Sequence, residues 1–323
     1  MADYPFSPFP NGWFQVAYAD ELPAGGVLPI HYFGKELVAF RTLAGEAQVL
    51  DAHCPHLGAH LGHGGRVENE CLRCPFHGWS FGADGECVSI PYGGGKIPPR
   101  AKLRSWPVQE VNGTIMVYHH AQELQPDGPV PVAPQLTNPD WVTLGRFRWQ
   151  YPTHLQEMVD NAADPLHLVH LHGVLMPATS ATEQAAGKDL KLTTKFISDP
   201  TRIGIPGEPF PAQIESLLHG FGMQIINFDA MAEGLIFLCF TPVDGEMIDA
   251  RMVIGLKKLP DEGMTRFVGE LVVKDVVRQF EEDIQIWKHK IYRAQPVLCE
   301  GDGPIGLVRR WSKQFYPVQQ LSA

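Results

Sequence analysis

The sequence predicts an α+β protein in two parts, an all-β first part and a second part that sets helices against an antiparallel sheet. Three observations carry this. Up to about residue 120, apolar residues recur in short runs broken by Gly and Pro. A proline-rich stretch follows, with Pro126, Pro129, Pro131, Pro134 and Pro139, stiff enough to serve as a linker. Beyond it, strand-like runs stand in a block closed by a long helical segment, the element order of an α+β arrangement. These features put the domains at 1–125 and 126–323.

In the first part, strands are expected at Val27–Phe33, Glu36–Thr42, Gln48–Ala52 and Thr114–Tyr118, each bounded by turn formers. In the second, helical periodicity covers His154–His170 and Lys274–Tyr292. Strands are expected between them at Leu190–Ile197, Met223–Phe228, Leu235–Thr241, Arg251–Leu259 and Thr265–Val273. The stretch from Pro177 to Lys188, rich in Ala, Thr and Ser, reads as a mobile loop. Gly93-Gly-Gly-Lys96 is not a phosphate loop, because the spacing is wrong and no Ser or Thr follows the lysine.

Composition narrows the function classes. At 323 residues the chain accommodates two domains, and 44% hydrophobic content supports real cores. A net charge of −10 disfavours nucleic acid, since no basic stripe is offered to phosphates. It suits an electron-donor protein better, although charge alone does not choose one. No apolar run approaches the ~20 residues of a membrane span, and the first residues lack the basic and apolar regions of a signal peptide. The six cysteines are too scattered for a disulfide framework. A cytoplasmic protein without a transmembrane segment is expected.

Two short motifs carry the chemistry. The first pairs Cys54-Pro-His56 with Cys74-Pro-Phe-His77. Two thiolates and two imidazoles in these steps are what a Rieske [2Fe–2S] cluster needs. The cysteines hold one iron and the histidines the other, and neutral imidazoles raise the potential above that of an all-cysteine cluster. Cys71-Leu-Arg-Cys74 is a competing start for a zinc site, which Cys54 and His56, or His77, would have to complete. Cys71 and Cys87 otherwise read as ordinary buried thiols.

The second motif is Asp164-Pro-Leu-His167-Leu-Val-His170-Leu-His172. Histidines close behind an Asp suggest a non-haem Fe(II) site with open positions for O2. Asp164-Pro165 reads as a helix first turn, where proline's missing N–H is harmless, and His167 then shares a face with Asp164. His170 has the better helical spacing from His167, and the helix must loosen before His172 can share a metal. Geometry leaves His170 and His172 competing. A facial triad also needs a distant carboxylate, for which Glu281-Glu282-Asp283 offers three choices, although an acidic run is more often a solvated face.

The whole pattern Cys54-Pro-His56-Leu-Gly … Cys74-Pro-Phe-His77-Gly-Trp79 resembles the Rieske domain of Rieske non-haem iron oxygenases, over about residues 10–120. The resemblance implies that an N-terminal all-β Rieske domain is followed by a helix-grip (START-like) catalytic domain. It implies Cys54, His56, Cys74 and His77 as cluster ligands. Asn161, Asp164, His167 and His172 fill the family's N-x-x-D-x-x-H-x-x-x-x-H motif, which selects His172 over His170 as a metal ligand beside His167. The segment Glu282-Asp-Ile-Gln-Ile-Trp-Lys-His-Lys290 resembles the family segment whose Asp binds iron, which selects Asp283. In the family, the residue matching Asp164 bridges the second Rieske histidine of a neighbouring subunit to the first iron histidine. His77 of one subunit would then hydrogen-bond Asp164 of the next, and the implied assembly is a head-to-tail homotrimer. Asp164 and Asn161 are thus the expected catalytic helpers. Respiratory Rieske proteins carry a disulfide where this chain has Ala59 and Phe76, and a cluster-bonding serine where it has Trp79. Losing those hydrogen bonds implies a low-potential cluster.

The resemblance extends over nearly the whole chain. Pro296-Val-Leu-Cys-Glu-Gly-Asp-Gly303 and Arg309-Arg-Trp-Ser-Lys-Gln-Phe-Tyr316 look like the C-terminal segment of 3-ketosteroid 9α-hydroxylase oxygenase components. Phe9-Pro-Asn-Gly-Trp13 and Glu110-Val-Asn-Gly113 are similar to Neverland-type cholesterol 7-desaturases. It is weakest between about Met176 and Met264, the region that shapes the substrate pocket in the family. There Phe221, Met223, Ile225, Phe228 and Phe237 suit a pocket lining and core packing equally well. The implied activity takes electrons from NAD(P)H through a flavin/ferredoxin-type reductase. With O2 it oxidises an unactivated C–H bond of a steroid- or sterol-like polycycle by hydroxylation, desaturation or oxidative demethylation. Three rivals stand beside it. An electron-transfer Rieske protein leaves the second motif idle, and an aromatic-ring dihydroxylating subunit normally has a longer catalytic half. A lipid-binding helix-grip domain does not need an intact set of Asn161, Asp164, His167, His172 and Asp283.

Overall fold

The computed structural model of the protein describes residues 4–317. The chain divides into two units. One is Trp13–Val130 with Val243–Gly245, and the other takes the segment up to Gly12, Pro131–Pro242 and the chain from Glu246 onward. The division at 130/131 falls inside the proline-rich stretch. The N-terminal segment joins the second unit because its side chains are held there. Tyr4 Oη donates to Glu157 (2.8 Å), Phe6 stacks on Tyr316 (4.5 Å), and the Asn11 N–H donates to the Phe315 carbonyl (2.7 Å).

The first unit is built of short strands in three small sheets. Its strands are β1 (Gly12–Tyr18), β2 (Val27–Tyr32), β3 (Lys35–Arg41), β4 (Ala47–Asp51), β5 (Arg66–Glu68) and β6 (Cys71–Arg73). They continue with β7 (Ser80–Phe81), β8 (Cys87–Ser89), β9 (Ser105–Trp106), β10 (Val108–Val111) and β11 (Thr114–His119). The sheet orders are β2-β3-β4-β9, β1-β11-β10 and β5-β6-β7-β8. The four expected strands are present to within a residue or two. Strand β1 is buried along its whole length, so it lacks the alternation that would have marked it.

The second unit holds one seven-stranded antiparallel sheet. Its strands are β12 (Trp141–Pro152), β13 (Leu175–Ala186), β14 (Asp189–Ser198), β15 (Phe210–His219), β16 (Met223–Asp229), β17 (Glu233–Pro242) and β18 (Met247–Lys257), in the order β12-β18-β17-β16-β15-β14-β13. The helices are α1 (Leu155–Ala162), α2 (Leu166–His170), α3 (Glu262–Trp287) and α4 (Ile305–Ser312). Helix α3 packs on the sheet, where Phe280 meets Trp149 (4.7 Å between rings) and Trp287 stacks on Tyr151 (5.8 Å). An all-β domain followed by a sheet gripping a long helix is the expected α+β, helix-grip arrangement.

Three local expectations are corrected. Thr265–Val273 is not a strand but the first half of α3. The Asp261 side chain caps it by accepting the Met264 N–H (2.7 Å), and Val268, Val272 and Val276 recur every turn on the face toward the sheet. Tertiary packing overrides the β preference of its valines. Pro177–Lys188 is not a loop. Most of it lies in β13, one of the two edge strands of the sheet, where small polar residues suit an exposed edge. The single helix expected over His154–His170 is two, broken at Ala163–Pro165, since proline disfavours a helical residue before it. No helix among the described residues is long and apolar enough to cross a membrane.

Candidate metal centres and the cavity between sheet and helix

The first centre is built from two loops that fold alike. The Cys54 N–H donates to the Ala59 carbonyl (2.9 Å) and the Gly58 N–H to the Cys54 carbonyl (2.9 Å). In the second loop, Cys74 pairs likewise with Trp79 (2.8 Å) and Gly78 with Cys74 (3.1 Å). Both turns close through a glycine in the left-handed region, Gly58 at φ +76° and Gly78 at φ +73°. The loops bring His56 and His77 to 4.6 Å between rings, with Cys54 and Cys74 buried beneath them.

Cys54, Cys74, His56 and His77 fit a [2Fe–2S] cluster. The Nδ1 of His56 is buried and has no hydrogen-bond partner among the described residues, a state that suits a metal ligand. Burial pushes the Cys54 thiol up to about 11; the His56 backbone N–H works against this, and the adjacent Cys74 adds to it. A Cys54 thiolate in this place therefore calls for a cation. Trp79 stacks on His56 (4.8 Å) while its indole N–H donates to Tyr92 Oη (2.9 Å). Cys87 is buried and Cys71 half-buried, and burial raises both thiols.

The second centre lies where α1, α2 and α3 converge. The break at Ala163–Pro165 turns Asp164 Oδ1 into a cap for α2, accepting from the N–H groups of Leu166 (2.9 Å) and His167 (3.4 Å). His167 Nδ1 donates to the Asp164 backbone carbonyl (2.5 Å), which leaves Nε2 toward the centre, 3.3 Å from Asn161 Nδ2. His172 Nδ1 donates to Glu282 Oε2 (3.0 Å), and its Nε2 lies 3.2 Å from Asp283 Oδ1. One ligand atom each from His167, His172 and Asp283 falls within a 4.8 Å group. His170 is exposed at the end of α2. The loosened turn after it, with the His172 N–H reaching back to the His167 carbonyl (3.3 Å), brings His172 inward instead.

Two ring nitrogens and one carboxylate facing one point form a two-histidine, one-carboxylate facial set, and both remaining ring nitrogens are occupied. The charges suit a cation. Burial holds His167 below its usual range despite Asp283 and Asp164. For His172, burial acts in the same sense, but Asp283 and Glu282 outweigh it and raise its pKa. Of the acidic run, Glu281 points outward to the Trp149 indole N–H (3.3 Å), whereas Glu282 and Asp283 both serve the site. Arg278, one turn earlier, steadies Glu282 (2.7 Å); that spacing was the available sequence signal for Glu282.

Two further devices support the centre. A Cβ on Gly303 would lie 1.7 Å from the Ala163 carbonyl and 2.8 Å from Pro165, so only glycine lets the C-terminal segment pass the helix break. Helix α1 carries a buried polar face, and the same C-terminal segment satisfies it. Arg309 binds Asp160 through Nε (2.9 Å) and Nη2 (2.5 Å), and Lys290 pairs with Glu157. Ser312 and Tyr316 donate to Gln156 (3.1 and 3.0 Å). Sequence periodicity does not announce any of these partners.

A cavity opens from the second centre between sheet and α3. Alternation on the strands decides its wall, with Gln224, Ile226 and Phe228 of β16 facing it together with Ile236 and Leu238 of β17. Of the five residues first considered for the lining, only Phe228 faces it. Met223, Ile225 and Phe237 have the opposite parity and are buried, and Phe221 packs against Phe315 and Tyr316.

Residues 117–316 match the family model described as 3-ketosteroid 9alpha-hydroxylase C-terminal domain, and residues 12–107 match the Rieske [2Fe–2S] domain. The chain belongs to the Rieske non-haem iron oxygenases. This oxygenase is similar to the cholesterol 7-desaturase of Xenopus laevis, 33% identical over 95% of the chain and 72% of that relative. The cholesterol 7-desaturase of Caenorhabditis elegans is 32% identical over 95% of the chain and 77% of its own length. A probable 3-ketosteroid-9-alpha-monooxygenase oxygenase component of Rhodococcus rhodochrous is 30% identical over 95% and 80%. The oxygenase is therefore one of a steroid-acting family, and as an oxygenase component it implies a separate reductase. Its fold is that of dicamba monooxygenase, with a TM-score of 0.75 at 18% identity over 94% of this chain and 96% of that one.

Proposed function

We propose that this chain oxidises an unactivated C–H bond of a steroid- or sterol-like polycycle, by hydroxylation, desaturation or oxidative demethylation. The observation that carries the reading is the convergence of His167, His172 and Asp283 at one end of a largely apolar cavity. The relatives named for cholesterol and for 3-ketosteroids support the substrate class.

His167, His172 and Asp283 would hold a mononuclear Fe(II), and Cys54, His56, Cys74 and His77 a [2Fe–2S] cluster. When bound, these groups supply O2 activation and electron storage, with electrons drawn from NAD(P)H through a flavin/ferredoxin-type reductase. The protein supplies binding, orientation and dryness. Ile226, Ile236, Leu238, Phe240 and Phe280 wall the metal end with hydrocarbon and exclude water from it. The main chain of Asp164 fixes the His167 tautomer, and the Asn161 amide stands beside His167 Nε2 as an orienting group. Asp164 Oδ2 has no partner among the described residues, and in the reading proposed here it accepts a hydrogen bond from His77 of a neighbouring subunit. That contact would place the cluster-holding residues of one chain beside the iron-holding residues of the next in a head-to-tail homotrimer.

The test is mass spectrometry of products formed under labelled O2 with NADH, a flavin/ferredoxin reductase and a panel of sterols and 3-ketosteroids. A product carrying the label indicates hydroxylation, loss of two hydrogens indicates desaturation, and loss of a carbon indicates demethylation. Turnover of NADH with no steroid product removes the substrate class and directs the search to aromatic and other polycycles.

A further inference from the structure

We infer that the cavity recognises an oxygen atom of its substrate through the Gln224 side chain, with the Ser216 hydroxyl beside it. The substrate is then a polycycle bearing a hydroxyl or carbonyl at the end that sits beside the metal centre. This inference rests on the steroid-like substrate class proposed above.

Around the metal end the strand residues facing the cavity are mostly hydrocarbon, as at Ile214, Ile226 and Leu238. Gln224 and Ser216 interrupt that wall. Each is more than nine-tenths buried, at 8% and 9% exposure, and neither side chain hydrogen-bonds any described residue. Other polar groups lining the metal end, from the sheet and from α3, are already committed. Thr194 donates to Ser180 Oγ (3.2 Å) and Gln279 to Asp275 (2.7 Å).

The register places the two together. Leu218 lies opposite Gln224 and Ile226 opposite Ser216, so Gln224 and Ser216 are diagonal neighbours on β16 and β15 with one facing direction. Diagonal neighbours sit about 7–8 Å apart, close enough for a long amide to share a ligand atom with a hydroxyl. The polar atoms of this amide stay open to solvent in the cavity, and a ligand that displaces that water leaves the amide unpaired unless it offers an oxygen of its own. Because an amide both donates and accepts, it serves a carbonyl through Nε2 and a hydroxyl through Oε1. Hydrocarbon walls discriminate weakly among polycycles, whereas a site that pairs an oxygen rejects an analogue lacking it.

The experiment is equilibrium binding to the iron-loaded protein, read by tryptophan fluorescence, since Trp287 lines the cavity. The probes are androst-4-ene-3,17-dione and the parent hydrocarbon androstane. Wild type is expected to bind the dione about tenfold or more tightly than androstane, the scale of one well-made buried hydrogen bond. Gln224→Met removes both hydrogen-bonding atoms at similar volume, and should bring the two probes within about threefold without weakening androstane. Ser216→Ala should narrow the ratio less. A full preference retained in Gln224→Met overturns the inference. Equal binding of the two probes by wild type overturns it while leaving the steroid reading in place. No binding of either probe by wild type removes that reading and the inference together. Should Gln224→Met lose androstane as well, Ser216→Ala decides, and an unchanged ratio there overturns the inference.

Discussion

His167 Nδ1 donates to the backbone carbonyl of Asp164 over 2.5 Å, not to its carboxylate. The main chain therefore orients this imidazole, and the Asp164 side chain is released for other work. One oxygen caps α2 and the other has no partner among the described residues. Asp164→Asn is expected to retain both iron centres, because the orienting carbonyl remains. Reductase-driven product formation should fall by roughly a hundredfold. Iron analysis and product yield measured together check this, and normal turnover would exclude the bridging role.

The choice between His170 and His172 has a direct readout. His172→Ala should lower iron from about three to about two per chain while the cluster spectrum persists, since only the mononuclear site loses a ligand. His170→Ala should leave iron content unchanged, as its side chain is exposed. The reverse pattern of iron contents would overturn the ligand assignment.

Half-buried Arg309 of the C-terminal segment pairs with buried Asp160 of α1. Replacing Arg309 with Met strands a buried carboxylate, and the expected loss of stability is roughly 3–5 kcal/mol. Burial already raises the Asp160 pKa even with Arg309 present. Urea unfolding followed at the second unit measures the loss, and Asp160→Asn in the Arg309→Met background should recover part of it. A loss below about 1 kcal/mol would mark the pair as no stronger than an exposed one.

His154 makes acid stability testable. It caps α1 by accepting the Gln156 N–H at Nδ1 (3.0 Å), while Nε2 faces the Ser7 carbonyl (3.3 Å) and the Tyr4 ring stacks at 4.2 Å. Both nitrogens are thus used by the neutral ring, and burial lowers its pKa to about 4, against a smaller opposing effect of Ser7. The unfolded chain takes up a proton near pH 6.5 that the folded chain refuses. Stability from the neutral ring is therefore full above pH 6.5 and falls by roughly 3 kcal/mol as pH drops toward 4. His154→Asn keeps a capping acceptor without the titration. Urea midpoints at pH 7 and 5 should converge more closely in that variant than in wild type, and identical pH slopes would count against the account.

Both centres were legible where their donors lie close in sequence. The two loops at Cys54 and Cys74 use nearly the same local turn, and the whole pattern through Trp79, by its resemblance to a Rieske domain, marks them as a pair where the Cys71/Cys74 spacing alone is ambiguous. Asp283 was harder, because three neighbouring carboxylates differ only in which way the helix turns them. Glu282 was missed as the partner of His172 for the same reason. Thr265–Val273 misled because its β-branched residues suit a strand equally well, and only the sheet beneath it makes those valines one face of α3.

The sequence by itself determined the two-part α+β organisation and the types of donor on offer, and through its resemblance to a family the oxygenase chemistry, because ligand type and short-range spacing are properties of neighbouring residues. Tertiary structure decided what depends on residues remote in the chain. It chose His172 over His170 on geometry, turned Gln224 and Phe228 into the cavity while Met223 and Ile225 face away, passed Gly303 against Ala163, and set Arg309 on Asp160. Strand parity and burial exist only once distant segments have packed, and these positions acquire their roles from that packing.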